Sequence, residues 1–213
     1  MKDKLKIAIE AAKIGAKVGL KYFGKNLPFK TKSDSSPVTK ADIEVEEVIK
    51  KHILSFFPSD KFIGEESGGN FDEQEFWLVD PIDGTHNFIR QIPFWSIYIA
   101  FVKNKEVVVG VSFNPILNEL LFAEKGKGAF KNNNQKIHVS KISEIKNSYF
   151  NHSTLYKTVD KLPGFINLGR KAFKMRGFGD NYGFHLLATG KIEGMIDANN
   201  KPWDIAAMKL IIE

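Results

Sequence analysis

Apolar residues recur at helical spacing in the first two dozen positions, where Ile7, Ala11, Ile14, Val18 and Tyr22 line one face. The pattern predicts an opening helix ending near Gly24, after which the Gly-, Pro- and Ser-rich stretch GKNLPFKTKSDSSPV reads as a mobile loop. A second helix is expected from Thr39, with Val45, Ile49, Ile53 and Phe56 as its buried stripe and an end before Pro58. FIGEES is a short apolar run leading into two carboxylates, and FWLV at residues 76 to 79 reads as a buried strand. From Phe94 to about Val139 the segments WSIYIAFV, EVVVGVSF, ELLFAE and KIHV alternate with the turn signals KNK, NPILN, KGKG and NNN. That is a meander, so an antiparallel sheet is expected. Residues 140 to 178 show no pattern strong enough to assign. Beyond them NYGFHLLATG predicts a helix stopped by Gly190, KIEGMID a strand, and the segment near Trp203 a last helix. The composite is α+β, with a soft boundary near residue 140. Residues 1–140 hold the first helices and the antiparallel sheet, and residues 141–213 form a smaller α/β part.

Composition narrows the chemistry. The chain has 213 residues, 43% of them hydrophobic, and no cysteine. A disulfide framework, thiolate zinc sites, iron–sulfur clusters and a thiol nucleophile are therefore excluded. The formal charge of +6 comes almost wholly from dispersed lysines, with arginine only at positions 90, 170 and 176. Nucleic-acid readers cluster their basic residues and draw on arginine for bidentate contacts, so this footprint argues against such a partner and fits attraction to small anions such as phosphate esters. The Lys-rich N-terminal helix has no unbroken apolar stretch, and packing on its own domain is favoured over lying on a membrane. No membrane association and a cytoplasmic location are expected.

The stretch LVDPIDGTHNF, residues 78 to 88, carries the most chemistry. A buried strand delivers Asp80 to its carboxyl end, where ligand sites often lie. Pro81 cannot continue a hydrogen-bonded ladder, so the backbone is expected to turn there and present the Ile82 carbonyl to a ligand. Asp83 follows, and Gly84 and Thr85 read as the opening of a helix whose N–H groups suit a phosphate. Two carboxylates and a carbonyl beside an anion cradle are hard oxygen ligands, which Mg²⁺ prefers. A plain surface turn would need neither the second aspartate nor the buried strand. The spacing D-x-x-D-G-T also differs from the DxDGT of haloacid-dehalogenase-type phosphatases, because one extra residue redirects the second carboxylate. Other acids have bland readings taken singly. Glu65 and Glu66 fit a solvated loop, Asp204 the N-cap of the last helix, Asp42 a capping-box position after Thr39, and Asp180 the N-cap of its helix. The five histidines have no metal-binding spacing, and structural or surface roles are expected for them.

GEES, WLVDPIDGTHNF and PWDIAA, in this order, resemble the three signatures of the inositol monophosphatase family, with SPVTKAD and GKGAFKNN adding to the likeness. The resemblance implies a layered α/β/α/β/α sandwich, usually dimeric, and a Mg²⁺-dependent phosphatase using two or three ions. It implies Glu65, Asp80, the Ile82 carbonyl, Asp83 and Asp204 as metal ligands, Glu66 as the holder of a coordinated water, and Thr85 with Asp42 as the pair that orients and deprotonates the attacking water. Gly84 and Thr85 would offer N–H groups to the phosphate. Direct in-line attack of a metal-activated water on a small phosphate monoester, without a phosphoenzyme, agrees with the absence of a Cys or DxDGT nucleophile. Gly179-Asp180-Asn181-Tyr182 and KPWD look closer to the histidinol-phosphatase branch, in which Asp180 would pair with a cationic amine and Asp197 with a substrate hydroxyl or amine. The expected partner is a small phosphorylated metabolite, of inositol-monophosphate or histidinol-phosphate type. The alternatives are a bisphosphate substrate (fructose 1,6-bisphosphate or adenosine 3′,5′-bisphosphate) and a non-catalytic RNA- or protein-binding member on the same scaffold. Family members continue past LIIE through a glycine-bearing turn, so a shortened C-terminal part is expected, with an unpaired edge on the last sheet.

Overall fold

The computed structural model describes residues 3–32, 37–198 and 200–213, with the side chain of Asp180 outside that set. Helix α1 (Lys4–Tyr22) is capped by Asp3, whose carboxylate accepts from the Lys6 N–H. Its buried face is rotated from the expected stripe: Ile7 and Ala11 are buried, but Ile14, Val18 and Tyr22 are only half-buried. The closest contacts run instead through Ala8, Ala12, Gly15, Ala16 and Gly19. Small residues win because the helix lies so close to its neighbours. A Cβ on Gly15 would sit 2.8 Å from Ile49, and one on Gly19 2.8 Å from Trp95. Within the expected loop β1 (Phe29–Thr31) pairs antiparallel with β2 (Pro37–Thr39), and residues 33–36 of that stretch lie outside the described residues. Strand β1 is exposed throughout, so it leaves no hydrophobic pattern to read. Helix α2 (Lys40–Phe56) follows, with Thr39 as its N-cap and Val45, Ile49 and Ile53 buried; Phe56 is only half-buried.

Next come β3 (Lys61–Gly64), β4 (Glu75–Asp83), the short helix α3 (Thr85–Ile89) and the meander β5 (Ser96–Lys103), β6 (Glu106–Asn114), β7 (Glu119–Glu124), β8 (Gly128–Lys131) and β9 (Gln135–Lys136). These strands make one seven-stranded sheet in chain order, parallel at β3–β4 and antiparallel elsewhere. The expected KIHV strand is reduced to β9, and β8, which was not expected, lies between the turn signals KGKG and NNN. The unassigned stretch forms β10 (Tyr149–His152), α4 (Leu155–Lys161), α5 (Phe165–Lys171) and β11 (Lys174–Arg176). Such short elements bury too little for a period to show. The chain then adds α6 (Asp180–Ala188), β12 (Gly194–Ile196) and α7 (Pro202–Ile212). Strands β11, β10 and β12 form a parallel three-stranded sheet in that order, which leaves β12 at an edge among the described residues.

The large sheet has a core on each face. Trp77, Val79, Ile97, Ile99 and Phe101 face α1 and α2, whereas Leu78, Tyr98, Ala100 and Val102 join Ala207, Met208 and Ile211 of α7. Successive strand residues alternate faces, so the even-numbered positions of β4 and β5 point to α7. The layers run α1/α2, large sheet, α6/α7, small sheet, with α5 beyond it: Phe165 meets His152 edge-on, and Gly169 lies against Met175.

Candidate active site

The alternation just described sends Asp80 to the α7 side, opposite Tyr98 in the β4–β5 register. Asp83 is three residues on, and in a regular strand it would face the other way. Instead Asp80 pairs with Tyr98 and Asp83 with Ser96, so three residues on β4 span two on β5. This β-bulge at Pro81 and Ile82 returns both carboxylates to one face. The turn expected at Pro81 is therefore a bulge inside a continuing strand: proline lacks only the N–H, and a bulge needs no ladder bond there. Asp204, in the first turn of α7, reaches the same place. One oxygen of each of Asp80, Asp83 and Asp204 lies within 4.8 Å of the others. Asp204 is not the N-cap of that helix; its carboxylate accepts from the N–H of Lys201, the cap residue, at 2.7 Å.

Gathering three acids has an electrostatic consequence. Asp80 is 2% exposed, and burial, followed by the charges of Glu65, Asp83 and Asp204, pushes its carboxyl well above the usual range. Tyr98 is pushed up by burial and then by Asp83 and Asp80. Closely packed hard oxygens whose charges repel are a donor set that a divalent cation satisfies, and Mg²⁺ fits it. Glu65 stands beside this group, with its N–H donating to Val79 O at 3.0 Å. Its side chain is engaged by Lys32, whose ammonium lies 2.7 Å from Glu65 Oε1 and 2.6 Å from Glu66 Oε1. Burial raises the Glu66 carboxyl to about 7, with Glu65 and Asp42 adding to the rise and Lys32 opposing it. Burial alone would lower Lys32, but the two glutamates outweigh it and hold the ammonium above its ordinary value.

Asp42 serves two partners. Its Oδ2 accepts from the Thr39 N–H at 2.8 Å and the Thr39 hydroxyl at 2.6 Å, completing the capping box. Its Oδ1 faces the Thr85 hydroxyl at 3.3 Å, across 43 residues of sequence. The same hydroxyl lies 3.1 Å from Ile82 O. Burial, and beyond it the charge of Glu65, raises the Asp42 carboxyl despite the bonds from Thr39. Gly84 takes φ +90 as the cap of α3, and a Cβ there would lie 2.8 Å from Phe94 O. Only glycine accepts both conditions.

The candidate specificity residues lie on other elements. Asp180 opens α6 behind the cap residue Gly179, and its side chain lies outside the described residues. Asp197 follows β12 and accepts from the Ser153 hydroxyl at 2.7 Å. Asn181, part of the Gly179–Tyr182 block but given no role of its own by the sequence, ties α6 to the acidic loop by donating to Asp83 O at 3.0 Å and Phe94 O at 2.9 Å. Beside it Phe94 and Tyr182 stack in parallel at 4.4 Å. Lys32 and Tyr98 were also missed. Lys32 carries no local signal, but Tyr98 brings a hydroxyl into the largely apolar strand β5. His185 is structural: its Nε2 meets the Ser112 hydroxyl at 2.5 Å in the core.

The chain matches the model of the inositol monophosphatase family over residues 1–213. A histidinol-phosphatase of Chlorobaculum parvum is 37% identical over 100% of this chain and 83% of its own length. Inositol monophosphatase 2 of Solanum lycopersicum is 36% identical over 100% of this chain and 84% of its own. Among solved structures, a Thermotoga maritima IMPase superposes with a TM-score of 0.89 at 27% identity, covering 99% of this chain and 82% of that one. With bulge, acidic cluster and layer order in hand, the comparison is decisive: the chain belongs to the inositol monophosphatase family.

Proposed function

We propose that the protein is a Mg²⁺-dependent phosphatase acting on a small phosphate monoester, with its chemistry at Asp80, Asp83 and Asp204. The observation that carries the reading is the convergence of these three carboxylates, one of them buried, beside the Thr85–Asp42 pair. Phosphatase activity accords with the family. In this reading Asp80, Asp83, Asp204, Glu65 and the Ile82 carbonyl would hold the ions. When bound, the ions supply Lewis-acid polarisation of the phosphoryl oxygens.

The chain's own groups do the rest. Thr85 Oγ1 accepts a hydrogen bond from the attacking water and directs its own proton to Asp42 Oδ1, whose raised pKa makes it the better base. Glu66 orients that water, and the N–H groups of Gly84 and Thr85 receive the phosphate. Residues 141–213 carry the choice of substrate, with Asp180 and Asp197 as the residues that would select for the alcohol or amine. The names of the relatives support both histidinol phosphate and inositol monophosphate as candidates. Homodimerisation and a cytoplasmic location belong to the same proposal, and light scattering and cell fractionation test them. Among the described residues no helix is long and apolar enough to cross a membrane.

Phosphate release should be measured on histidinol phosphate, inositol monophosphates, fructose 1,6-bisphosphate and adenosine 3′,5′-bisphosphate, with and without Mg²⁺. Turnover of one monoester that needs Mg²⁺ and is lost in Asp83→Asn is the expected result. Activity unchanged in that variant, or a covalent phosphoprotein trapped by rapid quench, overturns the mechanism.

A further inference from the structure

The turn that carries Glu65 and Glu66 is closed by two backbone bonds, Gly64 N–H to Gly68 O at 3.3 Å and Gly68 N–H to Gly64 O at 2.9 Å. Within it, the Glu65 N–H is taken by Val79 O. The two remaining donors, the N–H groups of Glu66 and Ser67, both go to one side chain. Glu66 N–H donates to Glu46 Oε2 at 2.8 Å, and Ser67 N–H to Glu46 Oε1 at 2.9 Å. Glu46 is 3% exposed and stands on α2 four residues after Asp42, so the two acids share a helix face. Gly64 admits it: a Cβ at that position would lie 2.3 Å from the Glu46 carboxyl carbon.

We infer that Glu46 is a positioning residue that holds the Glu65–Glu66 turn in the geometry needed for metal binding, so that α2 braces the site twice, through Asp42 to Thr85 and through Glu46 to the turn. Glu46 touches neither ion nor substrate in this scheme; it acts through the backbone of the residues that do. A carboxylate suits the task because it is acceptor-only and offers one oxygen to each N–H. A glutamine has the same shape but turns an NH₂ toward one of the two donors, so one bond becomes a repulsion. Groups that orient metal ligands in this way typically change metal affinity by about 10–100-fold when removed.

The inference rests on the metal-binding reading of Glu65, and the experiment separates the two. Mg²⁺ binding is measured calorimetrically on wild type, Glu46→Gln, Gly64→Ala and Asp83→Asn, with thermal unfolding and Mg²⁺-dependent phosphate release recorded alongside. In Glu46→Gln the Mg²⁺ dissociation constant should rise about tenfold, with kcat at saturating Mg²⁺ within about twofold of wild type. Gly64→Ala should reproduce this by pushing the intact Glu46 away, which keeps the test decisive if Glu46→Gln folds poorly. Unchanged Mg²⁺ affinity in both variants, with only a lower melting temperature, overturns the positioning role and leaves the metal site standing. Wild type that binds no Mg²⁺, or Asp83→Asn that binds it equally well, overturns the metal-site reading and this inference with it.

Discussion

Asp42 divides its oxygens between a helix cap and the Thr85 hydroxyl, so a local stabilising motif and a candidate proton acceptor are one group. The capping role was readable from three-residue spacing; the contact with Thr85 joins α2 to the end of β4 and has no local signal. The two functions are separable at Thr85, which takes no part in the cap. Thr85→Ala should lower kcat by about 10²–10⁴-fold, the usual range for losing general acid–base assistance, while calorimetric Mg²⁺ affinity stays near wild type. An equal loss of Mg²⁺ binding would assign Thr85 to the ligand framework instead. Gly84→Ala should cost about 1–3 kcal/mol in denaturant unfolding, since a side chain at φ +90 is strained and its Cβ would press on Phe94 O.

Helices α7 and α6 each depend on packing that lies away from the acidic cluster. Helix α7 brings Asp204 to the cluster by lying on β6, where Gly110 lets the backbone of Ala207 approach: a Cβ on Gly110 would be 2.6 Å from Ala207 O. Backbone cannot swing aside as a side chain can, so Gly110→Ala should shift α7. The expected outcome is about 1–3 kcal/mol of lost stability together with weaker Mg²⁺ binding, although Gly110 is not one of the clustered acids. Helix α6 is fastened to the sheet by Ser112, His185 and Glu119. His185 Nδ1 lies 3.4 Å from Glu119 Oε2, and Lys131 bonds Glu119 Oε1. Burial raises the Glu119 carboxyl, but His185 and Lys131 outweigh it and hold it at about 2. A folded-state pKa below the unfolded value means the unfolded chain binds the proton more readily. The stabilisation is therefore complete above about pH 4.5 and is lost as pH falls toward 2. Urea unfolding across that window should show a steeper acid loss in wild type than in Glu119→Gln.

For the molecule as a whole, the cluster is a place where folding works against charge repulsion. Asp80 and Asp83 come from β4 and Asp204 from α7, and bringing them together costs stability that a bound cation returns. Mg²⁺ at a hundredfold excess over its dissociation constant should stabilise by about 2.7 kcal/mol, or about 5–10 °C in melting temperature for a domain of this size. A chelator should remove that increment, and Asp83→Asn should show none of it; equal melting with and without Mg²⁺ in wild type would contradict this account. Local pattern was enough to reveal α1, α2, the meander and the residues of the Asp-Pro-Ile-Asp-Gly-Thr stretch, because helical period, strand alternation and turn chemistry are properties of neighbours along the chain. It left unseen the glycine-lined contact of α1, the bulge that turns Asp80 and Asp83 to one face, the Lys32 bridge and the Glu46 brace. Each of these depends on which surfaces come within a few ångströms after folding, and contacts between segments tens of residues apart leave no periodic trace in either segment.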